Sequence, residues 1–146
     1  MQSSVLGVWR LRSFYSENVE TKERSEPFGP DPRGSLILHP DGRMTALITP
    51  RPRTAGAAES DRTAGSQRLV AYSGRFRLEP PDRLVTSVDV SWFEEWIGAD
   101  QARTYTVDGD RLEIFTPPGR MPRPGGKEVT VVGVLSWTRE ASTPTE

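Results

Sequence analysis

The chain is a succession of short apolar runs separated by segments rich in glycine and proline. Its 13 glycines and 13 prolines cluster between these runs rather than inside them. Two of the breaks, Asp41-Gly42 and Asp108-Gly109, supply the backbone angles that tight hairpin turns need. About eight strands with mostly short connections are typical of an antiparallel up-and-down barrel. The sequence therefore predicts an all-β fold, a single eight-stranded barrel over residues 1–140.

Four stretches lack a strand pattern. Residues 17–33 and 117–126 are polar or rich in proline and glycine, and we expect loops there. Residues 50–67 are rich in small and polar residues, and we expect an irregular or short-helical partial lid. Residues 141–146 form a polar tail, which we expect to be disordered.

Tryptophan and arginine mark both ends of the predicted barrel. Trp9 lies in the first strand directly after Gly7-Val8, and the last strand ends with Trp137 and Arg139. A flat indole can fill the narrow end of a small barrel, and a guanidinium can stack on it. We therefore expect Trp9 to close the floor of the barrel and Arg139 to cap it.

Composition excludes several classes of function. A net charge of −1 gives no electrostatic footprint for nucleic acid. Without cysteine the chain has no disulfide, thiolate metal ligand or cysteine nucleophile, and with His39 as its one histidine it has no multi-histidine metal site. No stretch reads as a secretion signal or a membrane span. We expect a cytoplasmic monomer or homodimer that requires no metal or other cofactor.

Strand alternation predicts which side chains share a face. On the first strand, Ser13 is expected on the same face as Trp9 and Leu11. On the strand over 83–92, Val88, Val90 and Trp92 form the more apolar face. Phe93 to Gly98 is expected to form one helical turn that ends at the glycine.

The order of motifs resembles the lipocalin-like domain family, a small branch of the lipocalin-type barrels. The matching stretches run almost the full length, and they are Gly7–Leu11, Pro27–Gly34, His39–Met44, Tyr72–Phe76, Trp96–Arg103 and Asp108–Leu112. The resemblance implies a barrel with an internal pocket and little specific chemistry. Members of the family often carry a histidine pair before the Trp-x-Gly turn, where this chain has Thr86 and Ser87, so no imidazole chemistry carries over.

A polar stripe is the first candidate site. Gln101, Arg103 and Tyr105 share one face of their strand. If that face points inward, a guanidinium, an amide and a phenol can orient a carboxylate or enolate. The structural alternative is that Arg103 stacks on Trp96 or pairs with Asp89 to close the mouth of the barrel. For the polar stripe considered by itself, we favour this structural role over ligand binding, because a buried charge is often simply paired.

Asp89 is a candidate general acid or base. Facing into an apolar barrel its carboxyl would have a raised pKa. Facing outward it is an ordinary solvated residue, and the apolar character of Val88 and Val90 favours this orientation. In an enzyme, Asp89, Arg103 and Tyr105 would supply proton transfer and enolate stabilisation.

The aromatic residues are candidates for the body of a ligand site. We assign this role to Tyr72, Phe76, Trp92 and Trp96. The leading hypothesis is a pocket for a small hydrophobic or aromatic molecule with one polar head held by Gln101, Arg103 and Tyr105. The alternatives are a cofactor-free cyclase or isomerase of bacterial secondary metabolism, acting on a polyketide- or terpenoid-like intermediate, and a packed structural module without a ligand.

Overall fold

The computed structural model describes residues 5–50, 69–122 and 128–140. Strands dominate these residues, with one 3-10 turn at Glu94–Trp96. The strands are β1 Gly7–Asn18, β2 Arg24–Ser25, β3 Arg33–Leu38, β4 Arg43–Thr49, β5 Val70–Glu79, β6 Arg83–Ser91, β7 Asp100–Asp108, β8 Arg111–Phe115, β9 Gly119–Pro122 and β10 Glu128–Arg139. The predicted lid, apart from Pro50 at its start, and the predicted tail lie outside the described residues.

Eight strands form a closed antiparallel barrel, which confirms the predicted fold class. They follow the order β1, β3, β4, β5, β6, β7, β8 and β10, and β10 pairs back with β1 to close the sheet. The short strands β2 and β9 pair with β1 and β10 inside the stretches that the sequence assigned to loops. Closure satisfies the backbone groups that an open sheet would leave at its edges.

The floor of the barrel is built as the sequence predicts. Trp9 is fully buried, and its Nε1 donates a 2.9 Å hydrogen bond to the carbonyl of Val5. The Arg139 guanidinium lies 4.2 Å from the centre of the Trp9 ring and donates a 2.6 Å hydrogen bond to the carbonyl of Leu6. This arrangement satisfies the polar groups of the plug and closes one end of the barrel.

The hairpins at Asp41-Gly42 and Asp108-Gly109 are also as predicted. Gly42 and Gly109 adopt positive φ angles of 93° and 61°, and they connect β3 to β4 and β7 to β8. Both turns lie at the floor end. The turn between β5 and β6 lies at the floor end as well, and the 3-10 turn between β6 and β7 lies at the opposite end, called the open end below.

A bulge in β1 changes which side chains face the interior. Leu11 pairs with Trp137, but the next paired residue, Ser13, faces Ser136, so the register shifts between them. Beyond the shift Phe14 pairs with Leu135, and both side chains line the barrel interior. The expectation that Ser13 shares a face with Trp9 is therefore wrong, because the extra residue reverses the alternation.

A second bulge lies in β6 opposite Gly74. Gly74 pairs with Val88 and Ser73 pairs with Val90, so Asp89 is the extra residue. A Cβ atom on Gly74 would lie 2.1 Å from the carbonyl oxygen of Ser87, which explains why the close approach needs glycine. Beyond this bulge Val90 is on the outer surface, 61% exposed, rather than beside Val88.

Candidate functional site

The barrel encloses an apolar cavity of about 190 Å³. It extends from the open end, where Trp96 sits on the 3-10 turn, toward the floor, where Trp137 stands two residues before Arg139. Aliphatic and aromatic side chains dominate its wall. The lining residues are Phe14, Leu36, Met44, Ala46, Ile48, Val70, Tyr72, Leu84, Thr86, Trp96, Arg103, Ile114, Thr116, Leu135 and Trp137.

Arg103 brings a positive charge into this apolar wall. It lies on β7 opposite Leu84, another lining residue, so the polar stripe of β7 faces the interior. Its guanidinium donates hydrogen bonds to the Gln101 side-chain oxygen at 2.7 Å and to the Ala102 carbonyl at 2.9 Å. Both acceptors are neutral, and none of the ion pairs formed among the described residues includes Arg103.

This environment defines what Arg103 can bind. A guanidinium has five N–H donors in a planar fork, and two internal hydrogen bonds leave donors for another acceptor. A partly buried charge with no opposite charge beside it favours an anion, because pairing offsets the cost of desolvation. The alternative that Arg103 pairs with Asp89 is wrong, since Asp89 lies outside the barrel and pairs with Arg43.

Tyr72 and Trp96 form the aromatic side of the open end. Their ring centres lie 5.4 Å apart in an edge-to-face arrangement, and Phe93 packs against Trp96 from the same turn at 4.8 Å. Burial raises the pKa of Tyr72, and the nearby positive charge of Arg103 opposes that rise without cancelling it. The Tyr72 phenol therefore keeps its proton at neutral pH and is a hydrogen-bond donor beside the Arg103 guanidinium.

The other residues of the polar stripe face inward without lining the cavity. Gln101 on β7 pairs with Thr86 on β6, and its side-chain oxygen orients Arg103 by accepting the 2.7 Å hydrogen bond. Tyr105 pairs with Ile114 and is half-buried against the hydrophobic core. Phe76 likewise packs against the core. Among all the predicted site residues, the three that line the cavity are Arg103, Tyr72 and Trp96.

Trp92 lies away from the cavity. The β6 bulge at Asp89 places Val90 and Trp92 on the outer face, and Trp92 is 55% exposed. Its backbone N–H donates to the carbonyl of Ala71, which keeps the chain paired beyond the strand end. The sequence predicted that Trp92 shares a face with Val88, which assumes uninterrupted alternation. That prediction is wrong, because the extra residue Asp89 reverses the alternation beyond the bulge.

Asp89 is on the outer surface as well. Its two carboxylate oxygens accept hydrogen bonds from the Arg43 guanidinium at 3.0 and 2.7 Å. These hydrogen bonds lower the pKa of Asp89 from its ordinary value. The inward alternative with a raised pKa is wrong, and Asp89 has neither the position nor the protonation state of a general acid in the cavity.

Four polar or aromatic lining residues were not among the sequence candidates. Phe14 was hidden by the β1 bulge, since alternation placed Ser13 on the inner face. Thr86 and Thr116 are small polar residues without a motif, and the Thr116 hydroxyl accepts a 2.8 Å hydrogen bond from the backbone of Gly133. Trp137 was detectable from its spacing, because it lies two residues from Arg139 on the same face of β10.

Trp137 differs from the other buried tryptophan. It is only 2% exposed, and its buried Nε1–H has no hydrogen-bond acceptor among the described residues. Trp9, next to it at the floor, has its Nε1–H satisfied by Val5. A buried donor without an acceptor costs about 1–3 kcal/mol.

A closed eight-stranded antiparallel barrel with an apolar interior cavity defines a lipocalin-type protein. The chain belongs to the lipocalin-like domain family, whose model matches residues 6–140. This match confirms the family resemblance of the sequence motifs. A comparison with curated proteins found no match.

The described residues add two further observations. Within them, no group of three or more histidine, cysteine, aspartate or glutamate side chains is placed to hold a metal ion. No helix in this part of the chain is both long enough and apolar enough to cross a membrane.

Proposed function

We propose that the barrel binds a compact aromatic or alicyclic molecule that carries one anionic head, with a carboxylate as the simplest example. The observation that carries this proposal is the Arg103 guanidinium in the apolar cavity wall, whose hydrogen-bond acceptors among the described residues are both neutral. The ligand-binding fold of the family supports it in general terms.

The cavity volume supports a small ligand. A cavity of about 150 Å³ lined by aliphatic and aromatic side chains holds one benzene molecule. At about 190 Å³ this cavity is suited to a single ring with one or two small substituents. Its apolar wall and its room for one small ring favour a ligand-binding barrel over a fully packed module.

The head group is expected at the open end. Arg103 and Tyr72 supply a charged donor and a neutral donor there, and the Tyr72 ring packs against Trp96. A carboxylate accepts such donors through two oxygens, while the ring of the ligand extends toward Leu36 and Leu135. Gln101 fixes the orientation of the guanidinium before the ligand arrives, which lowers the entropic cost of binding.

Binding is favoured over proton-transfer catalysis. The cyclase or isomerase alternative required a base inside the barrel, and Asp89 was its candidate. Asp89 is outside, and within the part of the chain that the structure describes, no carboxylate and no histidine lines the cavity. Arg103 and a protonated Tyr72 can stabilise an anion, but neither is a base at neutral pH.

Calorimetric titration with benzoate and its neutral isostere benzamide tests the proposal. We expect benzoate to bind more tightly than benzamide, because only the carboxylate pairs with Arg103. Arg103→Met keeps much of the side-chain volume and removes the charge. Since a hydrogen bond to a charged group contributes about 1.5–3 kcal/mol, this variant should weaken benzoate binding by about 10- to 100-fold.

Arg83→Met is the matched control, because Arg83 lies at the start of β6 and its side chain is 51% exposed in an ion pair with Glu79. It should leave benzoate affinity unchanged. Equal binding of benzoate and benzamide, or an Arg103→Met variant with wild-type affinity, would refute the role of Arg103. Absence of binding by either probe at millimolar concentration would refute the proposed ligand class.

A further inference from the structure

We infer that the outer face of strands β3 to β6 is a dimer interface, on which a second copy of this chain packs. The feature behind this inference is an exposed apolar patch, called the outer patch, that consists of Ile37, Leu47, Val90 and Trp92. Between 39% and 61% of each of these residues is exposed to solvent. The outer patch lies on the outside of the barrel wall, so the inference goes beyond the proposed function of the cavity and does not depend on it.

Strand pairing makes the outer patch continuous. Its members belong to two adjacent rows of paired residues, which are Ile37, Thr45, Ser73 and Val90 in one row, and Leu47, Ala71 and Trp92 in the next. Trp92 joins the second row beyond the end of β6, because its backbone N–H donates to the carbonyl of Ala71 at 2.8 Å. Side chains directly opposite each other on neighbouring strands have Cβ atoms about 4.5–5.5 Å apart, so only small residues separate the four large ones.

The far side of the barrel carries no comparable patch among the described residues. Its outward side chains on β8 and β10 include the polar residues Arg111, Glu113, Ser136 and Thr138. Every large hydrophobic residue that is exposed in the described part of the chain belongs to the outer patch, except Ile97 on the turn that follows Trp92. Apolar surface that is concentrated on one face of a protein marks an interaction site.

The area of the outer patch is suited to the centre of an interface. At these exposures its four side chains present roughly 400 Å², about half of the roughly 800 Å² that each partner buries in a standard interface. The polar residues around the patch supply the remainder as a rim. Trp92 is the largest member, and tryptophan is among the residues that dominate the binding energy of interfaces. The hydrogen bond to Ala71 fixes its backbone, so little order is lost when a partner packs on it.

The charges beside the outer patch match those of a second copy. Arg75 pairs with Arg43 at the start of β4, on the floor side of the patch, and its guanidinium donates to the Asp41 carbonyl at 2.8 Å. Glu94 and Glu95 are exposed on the 3-10 turn at the open end. Within the described part of the chain, no ion pair includes Arg75, Glu94 or Glu95. A two-fold axis that lies in the interface and crosses the strands brings Arg75 of each copy against the glutamates of the other.

These charges favour a second copy over a lipid surface. Anionic lipids attract basic residues and repel acidic ones, so Glu94 and Glu95 oppose such a contact. Two copies of a chain with a net charge of −1 repel each other only weakly, and the opposite signs of the two borders offset that repulsion.

Sedimentation equilibrium of the full chain measures self-association. Because interfaces of standard size have micromolar or tighter affinities, we expect the mean mass to rise from 16.3 kDa toward twice that value over about 1–500 µM. Trp92→Glu places a charge in the outer patch, and it should weaken dimerisation by about 30-fold or more. Thr138→Glu is the matched control, because it adds the same charge on the far side of the barrel, where Arg12 donates to the Thr138 hydroxyl at 2.7 Å. It should leave the association unchanged.

Charge reversal at the two borders tests how the copies are arranged. Arg75→Glu alone, or Glu94→Arg together with Glu95→Arg, should weaken dimerisation by about three- to tenfold, since each change brings like charges together across the interface. Combining the three substitutions restores opposite charges at both contacts, and it should recover the wild-type affinity to within about threefold.

The mass of the wild-type chain is the first check. A chain that stays at 16.3 kDa over the whole concentration range overturns the inference, whether residues 51–68 or a lipid surface then covers the outer patch. Flotation of such a monomer with vesicles of phosphatidylcholine and phosphatidylglycerol would identify the lipid contact. A dimer that persists in Trp92→Glu, with circular dichroism showing the variant folded, also overturns the inference. Failure of the combined charge reversal to restore association overturns the two-fold arrangement.

Discussion

Gly74 is the residue on which the β6 bulge depends, and alanine at this position is the sharpest test of the fold. The added Cβ would lie 2.1 Å from the carbonyl oxygen of Ser87 and 2.9 Å from the Cα of Val88. Both neighbours are backbone atoms, so no side-chain rotation can relieve the contact. β5 and β6 would have to separate by about 1 Å at their closest approach, since real Cβ contacts do not fall below 3.0 Å.

The cost follows from this geometry. Overpacking of a core usually costs about 1–3 kcal/mol, and a backbone contact that breaks strand pairing belongs at the upper end or beyond. We therefore expect Gly74→Ala to lower the free energy of unfolding by about 3 kcal/mol or more. For a chain of this size each kcal/mol corresponds to about 2–4 °C, so the melting temperature should fall by about 6–12 °C.

Thermal unfolding followed by circular dichroism measures this change, with Gly119→Ala as the matched control. A Cβ on Gly119 would meet no atom within 4 Å, and its φ is ordinary. That variant should unfold within about 1–2 °C of the wild type, because substitutions away from packed features usually change stability by less than about 0.5 kcal/mol. If Gly74→Ala unfolded at the same temperature as Gly119→Ala, the close approach of β5 and β6 would be refuted.

Two further predictions concern the floor and the outer surface. Arg139→Lys should lower the melting temperature by about 3–6 °C, which corresponds to a loss of about 1–2 kcal/mol. An ammonium cannot both stack on Trp9 and reproduce the guanidinium hydrogen bonds. An unchanged melting temperature would contradict the role of Arg139 as the cap on Trp9. Asp89→Asn should leave benzoate affinity unchanged and should destabilise the protein at neutral pH through loss of the Arg43 pair. The pKa of Asp89 is lowered in the folded state. The stability that its ionised carboxylate contributes is therefore present above its ordinary pKa of 3.8 and is lost as pH falls through the folded-state pKa. The difference in melting temperature between wild type and Asp89→Asn should therefore shrink at low pH, and a difference that grew on acidification would contradict the ion pair.

Local patterns in the chain were sufficient for the barrel and its floor. The tight turns at Gly42 and Gly109 need positive φ angles, and the short alternating runs between breaks leave few folds other than a closed antiparallel sheet. The Trp9 and Arg139 pair was predictable because β1 and β10 had to meet to close the barrel. Alternation also placed Gln101, Arg103 and Tyr105 on one face of β7, since that strand contains no bulge, but only the closed barrel decided that this face points inward.

The lining of the cavity depended on the tertiary structure. A bulge forms where one strand fits its neighbour with an extra residue, so its position is a property of the pair and not of either sequence segment alone. The two bulges turned Phe14 inward and moved Trp92 to the outside. The partners of Arg103 and the unsatisfied N–H of Trp137 likewise depend on side chains that only the folded barrel brings together. Strand patterns repeat over a few residues and can be read along the chain, whereas the chemistry of the cavity arises from contacts between strands far apart in sequence.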